Sequence, residues 1–254
     1  MSRPDARTAL VTNATGFAGP PAVEALRGAG FRVLVHDTAF ADGEAWARFA
    51  DGRDGIEPIA ATEPEAVLAE AVARGGTLAA VVSNDHYPAK AYPPDEAPVD
   101  ALRGNYAALV EWPFRLVRAA LPVLRAAGGG NVVMITSNRT RLPLAGSAFP
   151  DAARAAVNAM VRSLAIDCAA DGIVVNAVAP NFLYSEAYYP KAFFVATEAG
   201  RAYVRQAVPV GRLADPAEIG EVIAFLATVR TRFLTGAIVD FSGGWPAGPA
   251  RPAG

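Results

Sequence analysis

Between Thr8 and Gly30 the chain passes through a short apolar stretch, Thr8–Thr12, a glycine-containing turn, Gly16–Gly19, and a helically spaced segment, Pro20–Gly30, that ends in glycine. A strand, a tight turn and a helix in that order commit the chain to folding a helix back across its own strand. The alternation then continues. Arg32–Val35 reads as a second strand, Glu63–Arg74 as a helix with Val67, Leu68 and Val72 apolar, and Leu78–Ser83 as a buried-type strand. A long helical stretch over Val99–Ala127 precedes a strand at Asn131–Ser137, a helix at Asp151–Ala170 and a strand at Ile173–Ala179. Asp215–Thr228 reads as a helix capped by Asp215 with Pro216 at its first position, and Ala237–Phe241 as a last strand closed by Gly243 and Gly244. Strands alternating with helices predict an α/β fold, a Rossmann-like doubly wound parallel sheet in a single domain over 1–254, with its ligand crevice at the carboxyl ends of the strands. Regularity lapses over 181–211, where Phe182, Tyr184, Tyr188, Tyr189, Phe193 and Phe194 predict a loop region with short helices covering a site. The proline- and glycine-rich stretch 245–254 predicts an extended C-terminal tail.

Composition removes several classes of partner. A net charge of -2 creates no field to recruit nucleic acid or an anionic membrane, and no apolar run reaches membrane-spanning length. One cysteine, Cys168, and two histidines, His36 and His86, allow neither an internal disulfide nor a cysteine/histidine metal cluster, so no metal is expected. The polar start, Met1–Arg7, carries no signal-peptide core, and a cytoplasmic location is expected.

The first turn reads T-N-A-T-G-F-A-G over Thr12–Gly19. A dinucleotide needs glycines here, because the pyrophosphate must approach bare backbone at the helix start. Against the T-G-x-x-x-G-x-G of nicotinamide-dependent short-chain dehydrogenases, Asn13 replaces the first glycine and Phe17 the second, while Gly19 is kept. A ring at position 17 projects into the space of the phosphates or the nicotinamide. Asp37, at the end of the second strand, stands where such folds place an acid on the adenosine ribose.

The chain is similar throughout to short-chain dehydrogenase/reductase proteins, and more narrowly it resembles the halohydrin dehalogenases, lyases built on that fold without nicotinamide. Thr12, Phe17 and Gly19 fit that family's T-x-x-x-x-F/Y-x-G turn. V-S-N-D at Val82–Asp85 and P-N-F-L at Pro180–Leu183 are further matches. Ser137 and Arg154, seventeen residues apart, match the serine and arginine of S-x12-Y-x3-R.

The resemblance implies conversion of a vicinal haloalcohol to an epoxide and halide, and the reverse opening of epoxides by small anions, with no cofactor. Ser137 would hold the substrate oxygen, and the permanently charged Arg154 would favour the phenolate of a catalytic tyrosine. The tyrosine position holds Pro150, beside Phe149, and neither has a titratable hydroxyl. Asp151, Tyr87, Tyr184 and Tyr188 are the candidates for a replacement base, although Asp151 is more simply read as a first-turn acid favoured by the helix dipole. Phe17, Pro180, Asn181, Phe182 and Leu183 would build the halide pocket, with Tyr188 and Tyr189 completing its wall in a loop shorter than usual after Glu186. The family implies a homotetramer, and Ala155, Ala156, Ala159 and Val161 offer small or apolar contact positions; Trp245 could reach a neighbouring subunit. Two other readings stay open: an NAD(P)-dependent short-chain oxidoreductase, against which Leu109 occupies a usual asparagine position, and a catalytically inactive descendant.

Overall fold

In the computed structural model of the chain, which describes residues 7–88 and 90–248, seven parallel strands form one sheet in the order β3-β2-β1-β4-β5-β6-β7. The strands are β1 (Thr8–Val11), β2 (Arg32–His36), β3 (Ile56–Ile59), β4 (Leu78–Ser83), β5 (Gly130–Ile135), β6 (Ile173–Pro180) and β7 (Ile238–Phe241). β1, β4, β5 and β6 are buried along almost their whole length, which their continuous valine-, leucine- and isoleucine-rich runs require of a sheet covered on both faces. Strand order reverses between β1 and β4, so the loops leaving their carboxyl ends diverge and open the crevice expected of this topology. The expected α/β doubly wound sheet is what the chain forms.

On one face α1 (Gly19–Gly28) packs against α9 (Pro216–Thr228), burying Ala22, Val23, Leu26, Ile219 and Ile223. On the other, α3 (Pro64–Gly75) packs on α5 (Trp112–Ala126), and α6 (Ala148–Cys168) lies over β6. Asp215 caps α9 as expected, within a capping box in which its backbone N–H donates to the Glu218 carboxylate at 2.7 Å.

Several boundaries differ from the sequence reading. The stretch between β2 and α3 holds a 3₁₀ turn at Thr38–Ala41, a helix α2 (Gly43–Ala50) and the edge strand β3, none of which the apolar pattern had indicated. β3 is I-E-P-I, and its Pro58 is tolerated because an edge strand can do without one ladder donor. The long helical stretch is α4 (Val99–Tyr106) running through a π turn at Ala107–Glu111 into α5. The 181–211 region, by contrast, contains short helices as expected, α7 (Lys191–Phe194) and α8 (Glu198–Ala207). Val161 is fully buried inside the protomer, so it belongs to the core; Ala155 and Ala159 point outward. Of the tail, residues 249–254 lie outside the described residues, and Trp245 packs in its own chain against Phe182, Val204 and Val208. Among the described residues no helix is long and apolar enough to cross a membrane, and no cluster of metal-ligating side chains occurs.

Candidate active site

A cavity of about 730 Å³ lies at the carboxyl ends of β5 and β6, and both Ser137 and Arg154 line it. Ser137 stands two residues past the end of β5. Its Oγ accepts the Arg139 backbone N–H at 3.1 Å and donates weakly to the Pro180 carbonyl at 3.4 Å. Such a long bond can be given up to a ligand oxygen without leaving the hydroxyl unsatisfied. Arg154 is buried, not the surface ion-pair partner that arginines on helices commonly are. Its two terminal nitrogens donate to the Ile135 carbonyl at 3.0 Å and the Asp85 carbonyl at 2.8 Å. Burial pulls its pKa below the ordinary guanidinium value, and the neighbouring Tyr188 and Asp85 act against that pull.

Pro150 and Asp151 fall in the first turn of α6 and also line the cavity. Asp151 does not meet Arg154; its carboxylate accepts from Arg139 at 2.9 Å. Tyr87 lines the cavity, whereas Tyr184 is outside it and donates to Glu186 at 2.5 Å.

The first turn is closed upon itself. Asn13 and Phe17 both sit in the left-handed backbone region, at φ 48° and 49°, which glycine would adopt without strain. Gly19 is kept for a steric reason, since a Cβ there would stand 2.6 Å from the Ala14 carbonyl oxygen. Several of the turn's amides already have partners. Ala14 N–H donates to the His36 carbonyl, Thr15 N–H to the Asp37 carboxylate at 3.1 Å, and Gly19 N–H to the Gly16 carbonyl at 2.8 Å. The Asn84 side chain ties the Asn13 and Gly16 carbonyls together from inside, at 2.8 and 2.9 Å, and the His86 ring sits against Gly16. Asp37 also accepts the Thr15 hydroxyl at 2.6 Å and caps the following 3₁₀ turn through Ala39 N–H. Its carboxylate thus holds the turn in place of a ribose. With Phe17 projecting into the cavity, these residues do not fit a bound dinucleotide.

At the end of β6, Pro180, Asn181, Phe182 and Leu183 all line the cavity, together with Tyr188 and Tyr189. The turn's first two amides are spent, Asn181 N–H on the Phe241 carbonyl and Phe182 N–H on its neighbour's Oδ1. The same Asn181 Oδ1 accepts the Tyr189 hydroxyl at 2.6 Å, and burial pushes that phenol's pKa up. An anion at this end would meet the Asn181 side-chain N–H₂ and ring edges. Phe17 meets Tyr188 edge to face at 5.3 Å, and Phe182 packs on Tyr189 and Trp245.

Two residues here had no assigned role in the sequence reading. Asp85 is buried at the end of β4, accepts from Ser83 at 2.6 Å and Asn13 at 3.2 Å, and is pushed by burial up to about 6. Its place in V-S-N-D was the available signal. Arg139 pins Asp151 and offers its amide to Ser137, and only the loop geometry reveals it.

Comparison with known proteins agrees on the framework. The family model described as enoyl-(acyl carrier protein) reductase matches residues 16–246. A cis-4-hydroxycyclohexanecarboxylate dehydrogenase of Sinomonas cyclohexanicum is 34% identical, over 95% of this chain and 97% of that one. An L-fucose dehydrogenase of Rattus norvegicus is 29% identical, over 100% and 94%. Among solved structures, one titled a dehalogenation enzyme superposes with a TM-score of 0.90 at 33% identity, over 95% of this chain and 98% of that one. A halohydrin dehalogenase bound to ethyl (2S)-oxiran-2-ylacetate superposes at 0.92 with 29% identity, over 97% and 100%. The chain belongs to the short-chain dehydrogenase/reductase superfamily.

Proposed function

We propose that the chain is a halohydrin dehalogenase-like lyase that converts vicinal haloalcohols to epoxides and halide, and opens epoxides with small anions, without a nicotinamide cofactor. The observation that carries this reading is the filled first turn: Phe17 lines the same cavity as Ser137 and Arg154, and the amides of Ala14, Thr15 and Gly19 are already bonded within the protein. Substrate oxygen would sit on the Ser137 hydroxyl, with Arg154 behind it as a fixed positive charge that stabilises a developing alkoxide. The departing halide would lie against Asn181, Phe182, Leu183, Tyr188 and Tyr189, where polarised ring edges suit a weakly hydrated anion. The structural likeness to an epoxide-bound dehalogenase supports the same substrate class. Pro150 stands where the resemblance requires the tyrosine, so the base is either another residue or lost. Assembly as a cytoplasmic homotetramer, in contact along the outward Ala155 and Ala159 and the half-buried Ala156, belongs to this proposal.

The names of the sequence relatives favour a second reading, an NAD(P)-dependent oxidoreductase. It requires the first turn to release the bonds held by Asn84 and Asp37. Halide release from a simple haloalcohol and azide-driven epoxide opening, assayed beside an NADH and NADPH titration, separate the two. The lyase reading expects turnover that Ser137→Ala lowers by about 10²-fold or more, with no nicotinamide binding. Tight nicotinamide binding without halide release would replace it by the oxidoreductase; silence in both assays would leave an inactive descendant.

A further inference from the structure

We infer that Tyr188, from the loop after β6, supplies the proton-accepting hydroxyl that position 150 lacks. The inference rests on the lyase reading above. Three observations argue for the Tyr188 hydroxyl. Tyr188 lines the cavity with Ser137 and Arg154. Its hydroxyl donates to the Tyr87 carbonyl at 2.9 Å, two residues beyond the Asp85 carbonyl that holds Arg154 at 2.8 Å, so one short segment anchors both side chains. The Phe17 ring, edge to face at 5.3 Å, fixes the phenol from the other side. The Tyr188 hydroxyl is also among the groups that offset the effect of burial on the Arg154 guanidinium.

The competing hydroxyls and carboxylates are committed elsewhere. Tyr189 donates to Asn181, Tyr184 to Glu186, and Asp151 is held by Arg139. The Tyr87 hydroxyl is wedged against the helix backbone at Gly104, where a Cβ would lie 2.5 Å from it. Once ionised, Tyr188 can no longer donate to the Tyr87 carbonyl, and its oxygen faces the guanidinium and the substrate instead. The haloalcohol hydroxyl proton then passes to the Tyr188 oxygen, and the substrate oxygen forms a bond to the neighbouring carbon. The carbon–halogen bond breaks, halide leaves with the electron pair, and the phenol returns its proton to solvent before the next turnover.

The experiment compares halide release by the wild type, Tyr188→Phe and Pro150→Tyr, with a thermal melt of each. The wild type is expected to turn over, and Tyr188→Phe to lose about 10²- to 10⁴-fold in kcat with little change in KM. A Tyr188→Phe variant within about threefold of wild type overturns the inference and leaves the lyase reading standing. A silent wild type with an active Pro150→Tyr also overturns the inference, by showing a site whose base is lost, and leaves the chain an inactive descendant of the lyases. Silence from wild type and Pro150→Tyr together ends both. Should Tyr188→Phe fail to fold, 3,5-difluorotyrosine at position 188 keeps the ring while making the phenol more acidic. The charged groups that line the cavity with Tyr188 are Arg154, Arg139 and Asp151, and Asp85 and His86 act on Arg154 from behind it. They are the same in both proteins, so the acidic limb of the pH–rate profile must move to lower pH; an unmoved limb overturns the inference.

Discussion

Arg154 and Tyr188 face the same cavity, but they carry different shares of the fold. The guanidinium is buried and forks between the Ile135 and Asp85 carbonyls, so it pins the end of β5 to the segment leaving β4. Arg154→Met leaves two buried carbonyls without donors and the Asp85 carboxylate without a counter-charge. Its unfolding free energy in urea at neutral pH should fall by about 3 kcal/mol. Arg154→Lys keeps the charge, but a single ammonium cannot reproduce the planar fork, and it should fall between the two. Tyr188→Phe removes one hydrogen bond and keeps the ring against Phe17, so the loss should be about 1 kcal/mol. If the two side chains proved equally costly to remove, the division between a structural arginine and an exchangeable phenol would be wrong.

The first turn shows how an element can keep its shape while changing its occupant. β1, the turn and α1 retain the strand–turn–helix geometry, and Gly19 retains its close approach to Ala14, yet the interior of the turn is taken by Asn84, Asp37 and His86. Asn84 is the brace, because its one amide group serves two turn carbonyls that would otherwise be left without it. Asn84→Ala should lower stability by about 1–3 kcal/mol in denaturant melts, and a cost near zero would mean that the turn holds itself. The same element marks what the sequence could and could not reveal. Asn13 and Phe17 announced a cradle unfit for phosphate, since those losses are local. The groups that fill it come from tens of residues away and follow only from the sheet order. β3 escaped notice for a different reason, as a proline-containing edge strand with a half-buried Glu57 has no alternating apolar face to detect. Ser137 and Arg154 were legible by spacing, whereas the Arg139–Asp151 pair and the approach of Tyr188 depend on loop paths that no periodicity encodes.

For the molecule as a whole, the buried groups at the carboxyl edge of the sheet should govern the response to acid. Burial raises Asp85 from 3.8 to about 6, against the opposing pull of Ser83 and Arg154. A carboxyl that binds its proton more tightly when folded contributes stability that is fully present below about 3.8 and is lost as pH rises through about 6. A shift of that size corresponds to about 3 kcal/mol. His36 and His86 act in the other direction, because burial lowers both from 6.5. Their contribution is present above 6.5 and is lost as pH falls through the depressed values. Between roughly pH 4 and 6.5 the two effects oppose each other and flatten the wild-type profile. Asp85→Asn removes only the carboxyl, so the variant should gain stability more steeply than the wild type as pH rises across that window. Urea midpoints taken at intervals from pH 4 to 7 measure the difference, which should change by up to about 3 kcal/mol in the variant's favour. Parallel curves would mean that Asp85 stays ionised throughout, with the Arg154 guanidinium and the Ser83 hydroxyl outweighing burial.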